Sequence, residues 1–542
     1  MSISKGLRAQ REPEQDAAAI EAARRSLAWP AGLLALGFLL RLANAYYRSL
    51  NADEALHYLL SVQPSLAATY RASLTTAHPP LLIVLLHYWG MVGHSELFLR
   101  LPSLFAGVFF CWVMFCWLKR VTDDSTALMG LVLLLFSPAL ILLSGEVRQY
   151  DLLLLFAASS LYFLDRAVEE NSLALILWSC AALYLALLTH YSSLIFALTL
   201  GIYAIARFSA TRVRAGVIVA WAAAQLCALF MVAFMILHHV SRLKARGVPR
   251  VIADTYLYRS LFHPGEEHAL VFVARSNLRL FHYFFYQGAI GLLGLLLFAY
   301  GLFLLIKTRG QSSGTRLPSP RQIAFLLCFP LVLNCGLALA QIYPYGGSRH
   351  DSYLAIFVMS GIALALAHWK PQRTWWKPVA LAVILAACNL FPSPQGEYIR
   401  PQDENRRLMA KTVSSLRALP PGSIVFTDDQ GGLLLSYYLC QSKVVQIEEN
   451  PFQPFMRAPC GQLSIITIDP DMWIFRANTF PEVMKNVQQT YGLSPGTTLW
   501  LFQTGWFVDK EYALREELKA FGCTSPQNFG KNMFLCRVGV GG

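Results

Sequence analysis

Residues 101–164 decide the fold class of this chain, and their sequence is LPSLFAGVFFCWVMFCWLKRVTDDSTALMGLVLLLFSPALILLSGEVRQYDLLLLFAASSLYFL. Long apolar runs alternate here with short polar segments. The first polar segment contains Lys119 and Arg120, and the second runs from Glu146 to Asp151. Apolar runs of roughly 20 residues are long enough to cross the hydrocarbon core of a bilayer as α-helices. The stretch therefore predicts helices that cross a membrane back and forth.

The same pattern extends over most of the chain. Of its 542 residues, 55% are hydrophobic and only 14% are charged, whereas about 25% of the residues of a soluble globular protein are charged. This deficit of charge excludes a string of soluble domains, a disordered chain and a fibrous repeat. It predicts a polytopic α-helical membrane protein with about 11 spans. The predicted spans are 28–48, 101–118, 126–145, 150–164, 172–189, 191–207, 215–238, 286–306, 323–341, 352–369 and 379–392.

One further apolar segment is too short for a span. Pro79 to Gly93 contains His87 and Tyr88, and a span there would reverse the orientation of everything that follows. We therefore expect this segment to lie as a helix in the membrane interface.

Basic residues in the short loops predict the orientation of the chain. The formal net charge of +13 would suit nucleic acid, but the cations lie in short clusters between apolar runs, so no nucleic acid partner is expected. With residues 1–27 as a cytoplasmic tail, these clusters fall on the cytoplasmic side, and an odd number of spans places the C-terminus outside. The clusters are Arg24 and Arg25, Lys119 and Arg120, Arg207 with Arg212 and Arg214, Lys307 with Arg309, Arg316 and Arg321, and Lys370 with Arg373 and Lys377.

Residues 393–542 have a composition typical of a small soluble α/β domain. Alternating strand and helix patterns predict a largely parallel sheet. The predicted strands are Ser423 to Thr427, Lys443 to Ile447, Leu463 to Ile468, Thr498 to Gln503 and Asn532 to Val538, and the predicted helices are 431–440, 481–491 and 511–521. After the first strand, Thr427 to Gly432 predicts a tight turn rather than an anion site, because its two carboxylates would oppose a phosphate.

Cysteines are distributed in agreement with this topology. Seven lie inside predicted spans, and the other four are Cys440, Cys460, Cys523 and Cys536 in the tail. Two disulfides are permitted in an extracytoplasmic domain. We predict that neighbours in the sequence pair, with four reduced thiols as the alternative.

Ionisable groups beside the membrane are expensive to place, so they are the functional candidates. The outer-face clusters are Asn51 to Tyr58 and His78 to Leu81 in outer loop 49–100, Glu146 to Asp151, and Tyr343 to Asp351. Asp53 and Glu54 are adjacent, so on a helix they point about 100° apart and cannot share one proton. We expect one to act as a general base for an acceptor hydroxyl while the other orients the acceptor.

The same loop has the residue types of a metal site. Glu54 and His57 are three residues apart and share a helical face. With His78 they offer two histidines and a carboxylate, which suits zinc. A divalent metal ion is therefore one prediction for this loop, no cofactor being certain, and a hydrogen-bonded polar cap is the alternative.

Two arginines predict a phosphate site. Arg148 and Arg349 lie in outer segments that can converge, and a guanidinium binds a phosphate bidentately. The alternative is that each extends to the lipid headgroups, and Arg41 suits either role. The long outer loop 238–285 is basic and aromatic, which favours an anionic lipid or a polyprenyl-linked phosphate, with ordinary attraction to headgroups as the alternative.

These motifs together resemble the GT-C superfamily of glycosyltransferases. They are an Asp-Glu pair after the first span, His78 to Leu81, Arg100 to Ser103, and Arg-x-Tyr-Asp at Arg148 to Asp151. The closer resemblance is to the bacterial branch similar to dolichyl-phosphate-mannose protein mannosyltransferases (family 39-like), and a more distant one is to the lipid A aminoarabinose transferases. It covers about residues 28–390 and is strongest over the first 160.

The resemblance implies an inverting transfer of one sugar from a polyprenyl-phosphate donor to a lipid, glycan or protein acceptor. The location would be the outer face of a bacterial inner (plasma) membrane, with the C-terminal domain periplasmic or extracellular. Asp53 matches the catalytic base, Glu54 its acceptor-positioning neighbour, and Arg148 an arginine near the donor phosphate. The substrate-binding set that we expect is His57, His78, Arg148, Tyr150, Arg349 and His350.

Departures from the family pattern leave alternatives open. Leu82 and Ile83 follow His-Pro-Pro-Leu where protein mannosyltransferases carry Gly-Lys, and their large sugar-binding insert is missing, which argues against a protein acceptor. No Trp-Trp-Asp-Tyr-Gly run occurs, which argues against an oligosaccharyltransferase. A transporter or flippase and a surface-polysaccharide polymerase or ligase are the alternative functions.

Overall fold

The computed structural model describes residues 28–245, 253–254, 257–308, 316–369, 376–391, 405–440, 455–468, 480–504, 511–530 and 533–539. The predicted tail 1–27, the domain boundary at residues 392 and 393, and the predicted strand Lys443 to Ile447 lie outside these residues. A helix is present at each of the eleven predicted spans. These helices are Ala28–Tyr47, Glu96–Val121, Asp124–Phe136 with Pro138–Ser144, Tyr150–Glu170, Leu173–Leu187, Ser193–Ala210, Ala215–Ala245, Gly288–Lys307, Pro320–Leu339, Arg349–His368 and Trp376–Leu390.

The chain is a multi-pass membrane protein, but its number of spans stays a prediction. Within the described residues, 7 helices are long and apolar enough to cross a membrane, and the bent pair Asp124–Phe136 and Pro138–Ser144 makes up to 8. Leu173–Leu187 and Trp376–Leu390 are shorter apolar helices. Tyr150–Glu170 carries acidic residues near both ends.

Arg41 stabilises the bent pair from inside the first span. Proline has no N–H, so Pro138 leaves the carbonyl of Leu134 without its usual helical partner. Arg41 donates to this carbonyl at 3.1 Å and to the carbonyl of Leu135 at 2.7 Å. Its Nε atom donates to Ser144 at 3.0 Å. Arg41 is buried and its guanidinium is occupied by these groups, which favours a structural role over the phosphate and headgroup roles considered for it.

The outer loop 49–100 folds into the short helices Ala52–Ser61, Leu66–Ser73 and Leu81–Trp89. The last of these has 9 residues and is about 13 Å long at 1.5 Å per residue. A span needs about 30 Å, so this helix agrees with the interfacial position predicted for Pro79 to Gly93.

The long outer loop 238–285 is largely helical where it is described. The preceding helix continues to Ala245 through a π-helical turn at Ile236–Val240, and a second helix covers Ala269–Phe285. Arg275, one of the loop cations, pairs with Glu267 at 2.8 Å.

The described residues of the C-terminal domain form the strands β1 Ile424–Thr427, β2 Phe455–Cys460, β3 Leu463–Ile468, β4 Thr498–Gln503, β5 Gln527–Asn528 and β6 Phe534–Gly539. These six strands lie in one sheet in the order β2-β3-β1-β4-β6-β5. The helices are Arg406–Arg417, Asp429–Leu435 with the π-helical turn Ser436–Cys440, Phe480–Tyr491 and Glu511–Ala520.

The sheet formed by the described strands is mixed, not largely parallel as expected. Among these strands only β1 is parallel to its neighbours, β3 and β4, whereas β2, β6 and β5 all pair antiparallel. A two-residue turn joins β2 to β3, with Gly461 at a φ of 59°, and such a short connection permits only antiparallel pairing. The sequence pattern did not reveal β2 or β5.

Two smaller predictions for the tail can be compared with the structure. Disulfides join Cys440 to Cys460 and Cys523 to Cys536, which is the predicted pairing. The Asp428 carboxylate accepts from the amide of Gly431 at 2.9 Å and caps the helix Asp429–Leu435, so this amide does not face an anion. The helix begins two residues earlier than predicted, so Asp429 to Gly432 form its first turn and not a separate tight turn.

The tail domain packs directly on the outer loop. One continuous apolar core contains Ala55 and Leu59 of the loop together with Val425 and Leu433 of the tail. The outer loop is therefore held between the membrane helices and the sheet domain.

Candidate active site

Asp53 lies between two arginines that are distant from it in the sequence. Its Oδ2 atom is 2.7 Å from Nη1 of Arg148 and 3.2 Å from Nη1 of Arg349. The side chain of Asp53 is 26% exposed, whereas those of Arg148 and Arg349 are 6% and 13% exposed. A partly open carboxylate thus lies over two nearly buried cations.

The helix Ala52–Ser61 presents Asp53 because its first turn is firmly capped. The Asn51 side chain accepts from the amide of Glu54 at 3.0 Å, and the Glu54 carboxylate accepts from the amide of Asn51 at 3.0 Å. This reciprocal pair is a capping box, which satisfies two amides that the helix itself leaves unpaired. Asp53, between the two capping residues, therefore has a fixed backbone position.

Glu54 points away from the Asp53 carboxylate, into a buried ion pair. Arg100 donates to both of its oxygens, at 2.8 and 2.7 Å, and the amide of Val147 donates at 2.8 Å. With the Asn51 amide, these donors occupy the roughly four acceptor positions of a carboxylate. Glu54 and Arg100 are both 0% exposed, so this geometry favours a structural role for Glu54 over the positioning of an acceptor.

Arg148 lies in the short segment between Pro138–Ser144 and Tyr150–Glu170. Its carbonyl accepts from the hydroxyl of Ser103 at 2.9 Å, and its guanidinium lies 5.7 Å from the ring centre of Tyr150. Its Nη2 atom is 3.4 Å from Nε2 of His78. These contacts aim the guanidinium at Asp53 rather than at lipid headgroups.

Arg349 is presented by a glycine turn. Gly346 and Gly347 have φ values of 122° and 86°, a region that side chains rarely adopt. The Asp351 carboxylate accepts from the amides of both glycines, at 3.2 and 3.1 Å, and Asn334 donates to it at 2.8 Å. Asp351 is buried and organises the backbone that carries Arg349.

Four histidines and a tyrosine line the site next to these arginines. The ring centre of His78 is 6.1 Å from that of His57 and 5.4 Å from that of His190. The ring centre of His350 is 5.5 Å from that of His190 and 6.4 Å from that of Tyr150. His57 is fixed through Nδ1, which contacts the carbonyl of Asp53 at 2.5 Å.

Burial and the arginines set the charges of the site. Burial alone would raise the pKa of Asp53, but Arg148 and Arg349 outweigh it and hold this pKa below its ordinary value. Burial and Arg148 lower the pKa of His57 to about 4 and that of His190 to about 3. The same causes hold the pKa of His78 well below its ordinary value. At neutral pH the carboxylate is therefore charged and these histidines are neutral hydrogen-bonding groups.

Two side chains beside the arginines keep unused hydrogen-bonding capacity. Among the described residues, Nδ1 of His78 and both amide atoms of Gln149 are buried without a hydrogen-bond partner. Buried polar atoms in native proteins are nearly always paired. These atoms are therefore candidates for contacts with the hydroxyl groups of a ligand.

The predicted metal set is not assembled. The part of the chain that the structure describes has no group of three or more His, Cys, Asp or Glu side chains that could hold a metal ion. Glu54 is the reason, because its carboxylate is occupied by Arg100 and turned away from His57 and His78. Dependence on a metal stays a prediction of the sequence alone.

The structure brings together most of the predicted site. One cluster contains seven of the predicted residues, namely Asp53, His57, His78, Arg148, Tyr150, Arg349 and His350. Glu54 lies behind this cluster. Sequence reasoning missed His190, and it assigned no role to Arg100 or to Glu146, which lies 3.2 Å from Arg48 and 3.9 Å from Arg349. A polar residue between two predicted spans was the available signal for His190.

The chain matches one family model over part of its length. Residues 77–238 match the model described as dolichyl-phosphate-mannose-protein mannosyltransferase. The match covers less than half of the chain, and it includes His78, Arg148 and His190 but neither Asp53 nor Arg349. No curated protein matches the chain.

Two solved structures resemble almost the whole chain. ArnT from Cupriavidus metallidurans in the apo state has a TM-score of 0.52 and 13% sequence identity, with coverage of 95% of this chain and 98% of ArnT. ArnT from the same organism bound to undecaprenyl phosphate has a TM-score of 0.50 and 13% identity, covering 94% and 98%. At this identity the likeness shows the fold alone. The chain has a GT-C fold with a small C-terminal sheet domain.

Proposed function

We propose that this protein is an inverting glycosyltransferase that moves a single sugar from a polyprenyl-phosphate donor to an acceptor at the outer face of a bacterial inner membrane. One observation carries the proposal, namely the partly exposed carboxylate of Asp53 between two nearly buried arginines, Arg148 and Arg349. The match to the mannosyltransferase model and the likeness to ArnT bound to undecaprenyl phosphate support it.

The proposed chemistry needs one base and two cations. Asp53 takes the proton of the acceptor hydroxyl, whose oxygen attacks the anomeric carbon of the sugar. The bond from this carbon to the phosphate oxygen breaks on the opposite face, and the polyprenyl phosphate leaves with one more negative charge. Arg148 and Arg349 stabilise that growing charge, so no general acid is required.

Donor binding would also activate the base. In the free protein the two arginines hold the pKa of Asp53 low, which makes it a weak base. A donor phosphate that draws the arginines toward itself weakens this stabilisation, and its own negative charge opposes that of the carboxylate. Both effects raise the pKa of Asp53 once the donor is bound. We infer an ordered reaction in which Asp53 accepts a proton only beside a bound donor.

The sugar would be bound by four polar side chains, those of His57, His78, His190 and Gln149. Being neutral, these side chains offer hydrogen bonds without adding charge beside the anomeric carbon. His350 and Tyr150 complete the wall of the site. The acceptor is a lipid, a glycan or a protein, and membrane lipids surround the helices. A divalent metal ion has no step in this scheme.

Substituting Asp53 tests the proposal. Asp53→Asn keeps the shape of the side chain but removes the base, so transfer from a polyprenyl-phosphate sugar should fall by about 10²- to 10⁴-fold while the donor still binds. Asp123→Asn is the matched control. Asp123 caps the helix Asp124–Phe136 near the predicted cytoplasmic face, and asparagine caps as well as aspartate. Full activity of Asp53→Asn would exclude the assignment.

A transporter or flippase remains the main alternative. Such proteins place charged residues in broken helices at the middle of the membrane, whereas here the cluster joins an outer loop to helix ends. Movement of the donor lipid across the membrane without any transfer of sugar would favour this alternative.

A further inference from the structure

Two adjacent tyrosines of the C-terminal domain contact the loop that carries Asp53. Tyr437 and Tyr438 belong to the π-helical turn Ser436–Cys440, which follows the helix Asp429–Leu435. Neither residue has a role in the proposed reaction. Their contacts show how the tail domain can act on the site.

Tyr438 binds the backbone directly before the catalytic helix. The amide of Leu50 donates to its hydroxyl oxygen at 2.6 Å, and the same hydroxyl donates to the carboxylate of Glu96. Glu96 is buried and is also paired with Arg406 of the tail at 3.0 Å. The hydroxyl therefore links the loop, the start of the helix Glu96–Val121 and the tail domain.

The position of Leu50 determines what this contact controls. Leu50 directly precedes Asn51, the residue that caps the helix Ala52–Ser61. Asp53 is the second residue of that helix. Fixing the Leu50 amide therefore fixes the start of the helix and, with it, the distance of the Asp53 carboxylate from Arg148 and Arg349.

Tyr437 holds the other side of the same helix. Its ring packs edge-on against Tyr58 with the ring centres 5.2 Å apart. Its hydroxyl donates to the carbonyl of His94 at 2.8 Å. The turn thus contacts the catalytic helix at its beginning and near its end.

A disulfide and apolar contacts fix the turn Ser436–Cys440 to the sheet domain. Cys440, its last residue, is joined to Cys460 at the end of β2. The apolar core shared by the loop and the sheet lies beneath it. The turn is therefore a rigid connection between the folded sheet domain and the catalytic loop.

We propose that the C-terminal domain positions the catalytic loop and that Tyr438 is the positioning residue through which it acts. The inference rests on the proposed function for its consequence in catalysis, but the contact itself can be tested without a substrate. The disulfide between Cys440 and Cys460 fixes the end of the same turn, so its removal should make the catalytic loop more mobile.

Hydrogen exchange and kinetics of Tyr438→Phe in the full-length protein test the proposal. The variant leaves the Leu50 amide without its acceptor, so exchange at residues 50–54 should become about two- to tenfold faster, the effect of one lost hydrogen bond. A less well placed Asp53 should lower kcat more than it changes the KM for the donor. Because Asp53 then lies farther from its arginines, its pKa rises, and the acid limb of the kcat/KM profile should move to higher pH.

The control is Tyr491→Phe, which changes a partly buried tyrosine packed against a separate apolar core of the same domain, around Phe426 and Leu501, and should leave all three readouts unchanged. If Tyr438→Phe does not fold, Cys440→Ser with Cys460→Ser serves as the second variant, with the same expected changes in exchange and kinetics. Unchanged exchange at residues 50–54 would overturn the proposal, as would faster exchange with an unchanged kcat and pH profile. If the wild-type protein transfers no sugar, the proposed function fails, and the exchange result alone decides whether the tail holds the loop.

Discussion

Asp53 and Glu54 are neighbours in the sequence, but their surroundings give them different chemistry. Asp53 is partly exposed and contacts two arginines through a single oxygen. Glu54 is fully buried, and both of its oxygens are bound by Arg100. The sequence predicted two separate roles from the angle between adjacent helical residues. It could not predict which carboxylate faces inward, because this depends on Arg100, 46 residues away in the chain.

The buried pair predicts a stability effect for Glu54→Gln. The amide cannot neutralise Arg100, and breaking a buried ion pair costs about 3–5 kcal/mol, so the unfolding temperature should drop markedly. Glu170→Gln is the matched control, because Glu170 is exposed and pairs with two partly exposed arginines, and surface pairs contribute at most about 1 kcal/mol. Thermal unfolding followed by tryptophan fluorescence measures both variants. Equal unfolding temperatures would contradict a structural role for Glu54.

The charges of the site predict a difference between two pH profiles. The base must be deprotonated, so activity is lost as the pH falls through the pKa of Asp53. The kcat/KM profile reports the free protein, where the arginines keep this pKa below its ordinary value, whereas kcat reports the donor complex. The acid limb of kcat should therefore lie at higher pH than that of kcat/KM. His57, with its pKa lowered to about 4, should add no inflection near pH 6.5. Coincident acid limbs would contradict activation of the base by the donor.

At the scale of elements, the turn before the helix Arg349–His368 shows how local backbone geometry builds the site. Gly347 has a positive φ, and a Cβ atom there would lie 2.3 Å from the carbonyl oxygen of Arg279. Only glycine permits both the conformation and this close approach. The sequence showed a glycine pair before Arg349, but the partner that makes it necessary comes from the distant helix Ala269–Phe285.

Gly347→Ala should therefore displace Arg349. The strained backbone and the clash should cost roughly 1–3 kcal/mol, and donor binding should weaken because a phosphate-binding cation has moved. Gly336→Ala is the control, since nothing lies within 4 Å of a Cβ atom at that helical position, and alanine favours a helix. Measuring the unfolding temperature and the donor affinity of both variants tests this prediction. A Gly347→Ala protein with unchanged donor affinity would show that the turn does not position Arg349.

At the scale of the whole molecule, the apolar runs predicted the membrane helices because their length is imposed by the bilayer. The strands Leu463–Ile468 and Thr498–Gln503, which are rich in apolar β-branched or aromatic residues, were also predicted. The antiparallel edges of the sheet were missed, since pairing direction depends on how the chain returns and not on local pattern. The packing of the tail on residues 50–61 was beyond any sequence signal, because it depends on surfaces formed only after both domains have folded.

The central claim is that residues 53, 148 and 349 form one site where a carboxylate and a donor phosphate compete for the same two arginines. Binding of polyprenyl monophosphate to the wild type, Asp53→Asn, Arg148→Gln and Arg349→Gln tests it most directly. Asp53→Asn should bind the lipid phosphate more tightly than the wild type, because the competing charge is gone. Each arginine variant should bind the lipid phosphate more weakly by a factor of about ten or more, as expected for the loss of a charge-assisted hydrogen bond. Weaker binding by Asp53→Asn, or wild-type binding by both arginine variants, would contradict the claim.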